Sequence, residues 1–139
     1  MDIKSHEDLR VYQVAVESAM KIFDLTRSWP HEEKYSMTAQ ILRSSRSICA
    51  NIGEAWIRRY YPKHFVSKLR DATGEAAETT VWLELASRHN YIDQADLDKL
   101  RESYSFIHNG LIKMANQPEK WCSRRSKTVS PPSPDSSPE

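Results

Sequence analysis

The chain has 139 residues, of which 39% are hydrophobic and 28% are charged, and its formal net charge at pH 7 is +1. This length and composition are typical of a single soluble domain. No apolar run approaches the roughly 18 residues of a membrane span, and the N-terminus lacks the basic-then-apolar order of a signal peptide. We therefore expect no contact with a membrane. The two cysteines, Cys49 and Cys122, are far apart in the sequence and form no disulfide framework, so we expect a reduced, cytoplasmic protein.

Four helical segments are predicted from apolar residues that recur at steps of three and four. Their approximate bounds are residues 6–27, 32–59, 62–89 and 94–116. Signals for helix starts and stops lie near these bounds: Ser5 with Asp8, Pro30, Pro62, Asp93 and Pro118.

These segments predict one all-α fold. Short connections force neighbouring helices to run antiparallel, so we expect an up-down-up-down four-helix bundle over residues 1–121. Gly53 and Gly74 interrupt helical patterns, which predicts close helix contacts at both positions. Residues 122–139 are rich in Ser and Pro and lack apolar periodicity, so a disordered tail is predicted there.

The first two helices carry more apolar rows than one bundle core requires, since a core uses only about a third of a helix surface. The first helix has a row containing Leu9 and Phe23 and a second row containing Val11 and Ile22. The additional rows indicate either a wide buried face or a subunit interface. The interface candidates are Val11, Ile22, Leu42, Trp56 and Trp82.

Signatures of catalysis and of metal binding are missing from the sequence. None of the five histidines stands three residues after a carboxylate, so the Glu-x-x-His motif of di-iron bundles is absent. There is no Cys-x-x-Cys pair for zinc, and three scattered glycines cannot form a phosphate-binding loop. We therefore expect a protein that is not an enzyme and holds neither a metal ion nor a cofactor.

Positive charge is concentrated in residues 43–70. This segment holds seven Lys and Arg against one acidic residue, so its net charge is +6 and the rest of the chain carries −5. Basic residues interleaved with tyrosines are typical of surfaces that contact phosphates and stack on bases. The predicted nucleic-acid-binding residues are Arg43, Arg46, Arg58, Arg59, Tyr60, Tyr61, Lys63, Lys68 and Arg70.

Ion pairs compete with this interpretation for some of the cations. In an antiparallel hairpin of the second and third helices, Arg43 and Arg46 face acidic residues of the third helix, and the sequence leaves open whether they are free or paired. Glu54 stands four residues before Arg58, a favourable spacing for an ion pair within one helix. The cations predicted to be unpaired are Arg59, Lys63, Lys68 and Arg70.

Several segments together resemble a known family. They are residues 9–12, 33–35, 40–43 and 47–55, followed by Phe65, Leu69, Arg70, Ala72, Thr73, Gly74, Glu78 and Thr79. This pattern resembles the four-helix bundle proteins encoded in intervening sequences of large-subunit ribosomal RNA genes. Accessory proteins of diversity-generating retroelements share that bundle, and the similarity covers about residues 5–117.

The resemblance implies a cytoplasmic bacterial protein that assembles as a ring-like homo-oligomer, with a pentamer favoured. For the retroelement members it implies a basic surface that engages nucleic acid and a reverse transcriptase. The family's motif positions carried over as structural are Asn51, Glu54, Gly74 and Glu78, and its basic positions match Arg43, Arg58, Arg59 and Arg70. The chain departs from the family at Cys49, Gly53 and Ala55, which predicts a longer second helix without a kink.

Two functions from different classes follow. The first is a homo-oligomeric bundle that binds structured RNA or DNA through the basic surface around the second and third helices. The second is a protein–protein adaptor, for example an accessory subunit of a reverse transcriptase, that does not bind nucleic acid by itself.

Overall fold

Four long α-helices make up most of residues 2–122, the part of the chain that this computed structural model describes. They are α1 (Arg10–Thr26), α2 (Met37–Ile57), α3 (Pro62–Arg88) and α4 (Gln94–Asn116). Short 3₁₀ turns occur at His6–Asp8, His31–Glu33 and Pro118–Lys120, and no strand occurs among the described residues. The predicted all-α class is therefore confirmed. The prediction of a disordered tail concerns residues that, except for Cys122, lie outside the described range.

The capping box near the N-terminus closes a 3₁₀ turn and does not begin α1. The Ser5 hydroxyl accepts a hydrogen bond from the Glu7 amide at 3.2 Å, and the Asp8 carboxylate accepts one from the Ser5 amide, also at 3.2 Å. Leu9 is then extended, with φ −73° and ψ 125°. As a result α1 begins at Arg10, later than the predicted start near residue 6.

The connection between α1 and α2 is built around a buried tryptophan, which delays the start of α2 to Met37. Trp29 is 7% exposed, and its ring centre lies 5.6 Å from that of Tyr91 in the turn after α3. The Tyr91 hydroxyl donates to the Glu33 carboxylate at 2.9 Å. These contacts fix residues 29–33 as a closing segment at one end of the bundle, whereas the sequence predicted a helix that begins near residue 32.

One hydrophobic core fills the space between the helices, and α1 and α3 each pack against both α2 and α4. Its most completely buried large side chains are Ile22, Ile41, Ile48, Ile52, Phe65, Leu69, Leu83, Tyr104, Ile107 and Leu111. Each such apolar side chain contributes about 1.5–3 kcal/mol relative to an exposed one, so burial along all four helices is the main stabilising term. Within the described residues no helix is long and apolar enough to cross a membrane.

The second apolar row of α1 belongs to the core of the single chain. Val11 and Ile22 are 6% and 1% exposed, whereas Phe23 of the other row is 36% exposed. Trp56 of α2 is also buried, at 7%. These three residues therefore fit the wide buried face, one of the two alternatives, and leave little surface for a subunit interface. Leu42 and Trp82 are half-buried and pack against the edge of the core.

Two helices pack closely at Gly110, a glycine that the sequence did not single out. A Cβ atom at Gly110 of α4 would lie 3.4 Å from Val11 Cγ2 of α1. At Gly74, by contrast, a Cβ would meet nothing within 4 Å, and at Gly53 its nearest neighbour is the His6 ring at 3.9 Å. The predicted helix–helix contact at Gly53 and Gly74 is therefore wrong, because Gly74 faces outward and Gly53 faces the 3₁₀ turn.

Candidate nucleic-acid interface

The connection between α2 and α3 covers residues 58–61 and carries two of the predicted cations. The Arg58 amide closes α2 by donating to the carbonyls of Glu54 and Ala55, each at 3.1 Å. Pro62 occupies the first turn of α3, where the missing N–H group leaves no hydrogen bond unmade. Residues 58–61 and the first turns of α3 therefore lie together at one end of the bundle.

Arg59 is held in place by Trp56. Its Nε donates to the Trp56 carbonyl at 2.7 Å, and its guanidinium carbon lies 3.7 Å from the centre of the Trp56 ring. Trp56 in turn packs edge-on against Trp121, with ring centres 6.4 Å apart. Burial raises the pKa of the Cys122 thiol, and the nearby Arg59 charge opposes that rise. The Arg59 guanidinium is thus preorganised beside the last described residues of the chain.

Arg58, Lys63 and Arg70 have no carboxylate partner among residues 2–122. The Nε of half-buried Arg58 meets no hydrogen-bond acceptor within residues 2–122. Lys63 and Arg70 are exposed, and their seven-residue spacing places them on the same side of α3 about 10 Å apart. These three cations keep their charge available to an external anion.

The structure corrects two predictions that involve Glu54. Its carboxylate pairs with Lys68 of α3 at 3.1 Å and not with Arg58 of its own helix. Asp71 adds a longer contact to Lys68, at 4.0 Å. Lys68 is therefore paired and Arg58 is free, the reverse of the prediction. Lys68 is near enough to compete for this carboxylate because the end of α2 packs against the start of α3.

Arg43 is the centre of a surface ion-pair network. Its guanidinium bonds to Glu75 at 2.7 Å and also to Glu78, both on α3. The Trp82 indole donates to Glu78 at 3.0 Å, and this bond, followed by the one from Arg43, lowers the pKa of Glu78. The question that the sequence left open is settled for Arg43, because both of its charge partners lie within the chain.

Arg46 lies on the other side of α2, over an aromatic ring of α1. Its guanidinium carbon is 5.6 Å from the centre of the Phe23 ring, and that of Arg27 is 5.8 Å from the same ring. No carboxylate of the described residues pairs with Arg46. Arg46 is therefore free of ion pairs, yet its packing over Phe23 separates it from the cations around residues 58–70.

The two tyrosines of the connection differ in exposure. Tyr60 is 45% exposed. Tyr61 is half-buried at the start of α3, and its ring centre lies 5.6 Å from that of His64. Tyr60 is therefore the aromatic residue of this surface that is best placed to stack on a base.

The family-motif positions have local structural roles. The Asn51 amide donates to the Ser47 carbonyl at 3.0 Å and to the Ser47 hydroxyl at 3.1 Å, so it stabilises α2 itself. Glu54 and Glu78 hold Lys68 and Arg43, as described above. Gly74 is exposed on α3.

Trp121 was missed by the sequence interpretation because it lies beyond the fourth helix, next to the predicted tail. The signal that could have identified it is a large aromatic residue three positions after Pro118 in an otherwise polar stretch. Among residues 2–122 no group of three or more His, Cys, Asp or Glu side chains is placed to hold a metal ion.

Two similarities to known proteins bear on this surface. The family described as 23S rRNA-intervening sequence protein matches residues 7–113. A crystal structure of a protein of unknown function, from the S23 ribosomal protein family of Bacteroides thetaiotaomicron, is 36% identical to this chain, with a TM-score of 0.69. That similarity covers 76% of this chain and 95% of the other. No curated protein matches the chain. The chain belongs to the 23S rRNA-intervening sequence protein family.

Proposed function

We propose that the protein is a non-enzymatic, homo-oligomeric helical bundle of the cytoplasm that binds structured RNA or DNA through its junction surface. The junction surface consists of Arg58, Arg59, Tyr60, Lys63 and Arg70. The observation that carries the proposal is that none of its four cations has a carboxylate partner among residues 2–122, although the net charge of the protein is only +1. Such cations beside an exposed aromatic ring can contact phosphates and stack on an unpaired base with little sequence readout.

The family name favours RNA as the first ligand to test, because it refers to an intervening sequence of 23S rRNA. Backbone contacts of this kind recognise the shape and charge of a nucleic acid, so a structured RNA and a duplex DNA are both suitable probes.

The proposed topology of each subunit is an up-down-up-down bundle of its four helices. Arg43 near the start of α2 pairs with Glu75 and Glu78 in the middle of α3, while Glu54 near the end of α2 pairs with Lys68 near the start of α3. These contacts support an antiparallel arrangement of α2 and α3. The ion pair between Lys21 and Asp96, at 3.2 Å, supports the same arrangement for α1 and α4.

The proposed oligomer is a ring in which five copies are favoured, as the resemblance implies. Val81 and Leu85 on α3 are 53% and 37% exposed, next to half-buried Trp82. An exposed apolar row of this kind supplies surface that assembly can cover. In a ring the junction surfaces of several copies act on one nucleic acid, so their phosphate contacts add in affinity and in salt dependence.

The same apolar row favours a second candidate function. A protein partner, such as the reverse transcriptase of a retroelement, could dock on Val81 and Leu85, and nucleic acid would then bind only to the joint complex. The two candidates differ in whether the isolated protein binds nucleic acid at all.

Fluorescence anisotropy of the purified protein with a labelled structured RNA and a labelled duplex DNA, over a series of salt concentrations, tests the proposal. Light scattering on the same samples gives the number of subunits. We expect affinity to fall steeply with salt, with a slope in log K of about −0.9 for each duplex phosphate that is neutralised. Absence of binding at low salt would contradict the proposal and leave the adaptor function.

Matched alanine variants of basic residues test the site. The double change Lys63→Ala with Arg70→Ala should make the slope less steep by about 1.8 per bound subunit, because two free cations are removed. Lys68→Ala is the control, because Lys68 is held by Glu54 and Asp71 and should contribute little to binding. Equal effects of the double change and the control would show that the junction surface is not the binding site.

A further inference from the structure

A groove between the beginning of α1 and the end of α4 lies next to the junction surface. It has a volume of about 390 Å³ and is lined by the first turn of α1, the last two turns of α4 and the 3₁₀ turn Pro118–Lys120 with Trp121. Pockets that hold small ligands have volumes of about 300–1,000 Å³, so the groove is large enough for a single compact ligand. We call it the α1–α4 groove.

The floor of the α1–α4 groove is apolar. Leu9, Val11 and Met114 form it and are only 3%, 6% and 6% exposed, because their other sides belong to the core. Gly110 keeps the floor open, since it adds no side chain at the point where α4 approaches Val11. The half-buried Trp121 adds an aromatic surface to the lining.

The charged lining of the α1–α4 groove is entirely basic. Arg10, Lys113 and Lys120 contribute to it, and no Asp or Glu does. Arg10 reaches Glu17 only at 4.0 Å, with both side chains well exposed, so that contact is weak. Lys113 and Lys120 have no carboxylate partner within residues 2–122. An apolar floor with unpaired cations suits a ligand that has a flat apolar part and an anionic part.

Trp121 connects the α1–α4 groove to the junction surface. It contributes to the groove, and its ring packs against Trp56, which also contacts the guanidinium of Arg59. A nucleic-acid strand bound at the junction surface therefore passes the Trp56–Trp121 pair before it reaches the groove.

We propose that the α1–α4 groove binds one nucleotide of a single-stranded segment, with its base against Trp121 and the apolar floor. Arg10, Lys113 and Lys120 contact the flanking phosphates. This assignment rests on the proposed nucleic-acid function and gives it a substrate class, a structured nucleic acid with an unpaired extension. A nucleotide chain fits because every unit joins a flat ring to a negative charge, the combination that aromatic side chains and basic residues bind in single strands.

Charge argues against the chain itself as the occupant of the groove. The residues that follow Cys122 include Arg124, Arg125 and Lys127, which the basic lining would repel. An acidic peptide with an aromatic residue has the right charge, but its carboxylates and rings do not alternate at every unit as phosphates and bases do. It serves as the competitor in the test.

The test uses the full-length protein and two probes, a labelled single-stranded uridine oligonucleotide of about four units and a labelled RNA duplex with blunt ends. The groove variant carries Lys113→Ala and Lys120→Ala, both at exposed positions, and the junction variant carries Lys63→Ala and Arg70→Ala. At about 0.1 M salt the groove variant should bind the oligonucleotide roughly tenfold to thirtyfold more weakly, since each phosphate contact on a single strand contributes about 0.7 to the salt slope. Its affinity for the duplex should change less than about twofold.

A second variant tests stacking separately from charge. Trp121→Leu should weaken oligonucleotide binding about fivefold or more, whereas Trp121→Phe, which keeps a ring, should retain most of it. Unchanged oligonucleotide affinity in the groove variant would overturn the assignment, and so would equally strong competition by an acidic peptide. If duplex binding is lost in the junction variant and kept in the groove variant, the junction surface is supported whatever the groove does. The proposal for the groove and the proposal for the junction surface can therefore fail separately.

Discussion

Replacing Arg43 by methionine should distinguish a structural arginine from one that binds phosphate. The change removes a guanidinium that bonds to both Glu75 and Glu78, while the aliphatic stem of methionine preserves most of the packing. The side chains of Arg43 and Glu78 are 49% and 34% exposed, so solvent screening leaves each ion pair worth about 0.5 kcal/mol. We therefore expect the free energy of unfolding to fall by about 1 kcal/mol, with nucleic-acid affinity unchanged.

Thermal unfolding followed by circular dichroism measures this effect, because about 1 kcal/mol shifts the Tm of a domain of this size by roughly 4 °C. Its pH dependence has a definite sign. The Trp82 hydrogen bond and the Arg43 charge hold the pKa of Glu78 below its ordinary value of 4.5, so the stabilisation is present above that pH and is lost as the pH falls below it. The destabilisation caused by Arg43→Met should therefore shrink in acid.

Arg46→Met is the matched control, since Arg46 lies one turn further along α2 and has no carboxylate partner among the described residues. It should lower the free energy of unfolding by only about 0.5 kcal/mol, through loss of the contact with the Phe23 ring, and this loss should not depend on pH in the acid range. The reasoning is refuted if Arg43→Met leaves stability at neutral pH unaltered but weakens nucleic-acid binding as much as Lys63→Ala does.

Three further predictions concern single residues. Gly74→Ala should raise the free energy of unfolding by about 0.5–1 kcal/mol, because the position is exposed within α3 and an added Cβ meets no atom within 4 Å. Urea unfolding measures this change. A change in oligomeric mass would instead show that a neighbouring subunit contacts this position. Asp93→Ala should lower the free energy of unfolding by about 1 kcal/mol, because the carboxylate accepts the Asp96 amide at 2.8 Å and caps α4; Asp93→Asn should retain most of the stability. Burial raises the pKa of Cys49 to about 11, so iodoacetamide at about pH 8 should modify it far more slowly in the native than in the unfolded protein, as mass spectrometry would show; equal rates would contradict its burial.

The helices could be predicted from the sequence because their apolar residues follow the helical period, and the rows containing Ile48 and Leu69 are buried as that period implies. The start of α2 could not, because it depends on a contact between Trp29 and Tyr91 that joins two distant turns. The residues around position 37 carry no signal for a contact between two turns that are distant in the sequence. The buried face of α1 was ambiguous for a similar reason, since only the positions of its neighbours decide whether Val11 or Tyr12 points inward.

The candidate site was predictable as a region but not as a set of available charges. The concentration of cations in residues 43–70 indicated the end of α2 and the start of α3, yet the partner of each cation depends on helix ends and on rotation about the helix axis. Lys68 pairs with Glu54 across the contact between α2 and α3, a contact that the spacing of Glu54 and Arg58 in the sequence does not show. Trp121 and the lysines of the α1–α4 groove lie far from this segment in the sequence, so no local pattern connects them to it.

The contact between Gly110 and Val11 has a consequence for comparing members of the family. A Cβ at position 110 would meet Val11 at 3.4 Å, an ordinary contact distance, so alanine fits there, whereas a branched residue would extend into the space and close the floor of the α1–α4 groove. Gly110 followed by a basic residue at the place of Lys113 and an aromatic residue at that of Trp121 is therefore a compact sequence signature. It should sort family members into those with an open groove and those in which the bundle end is closed.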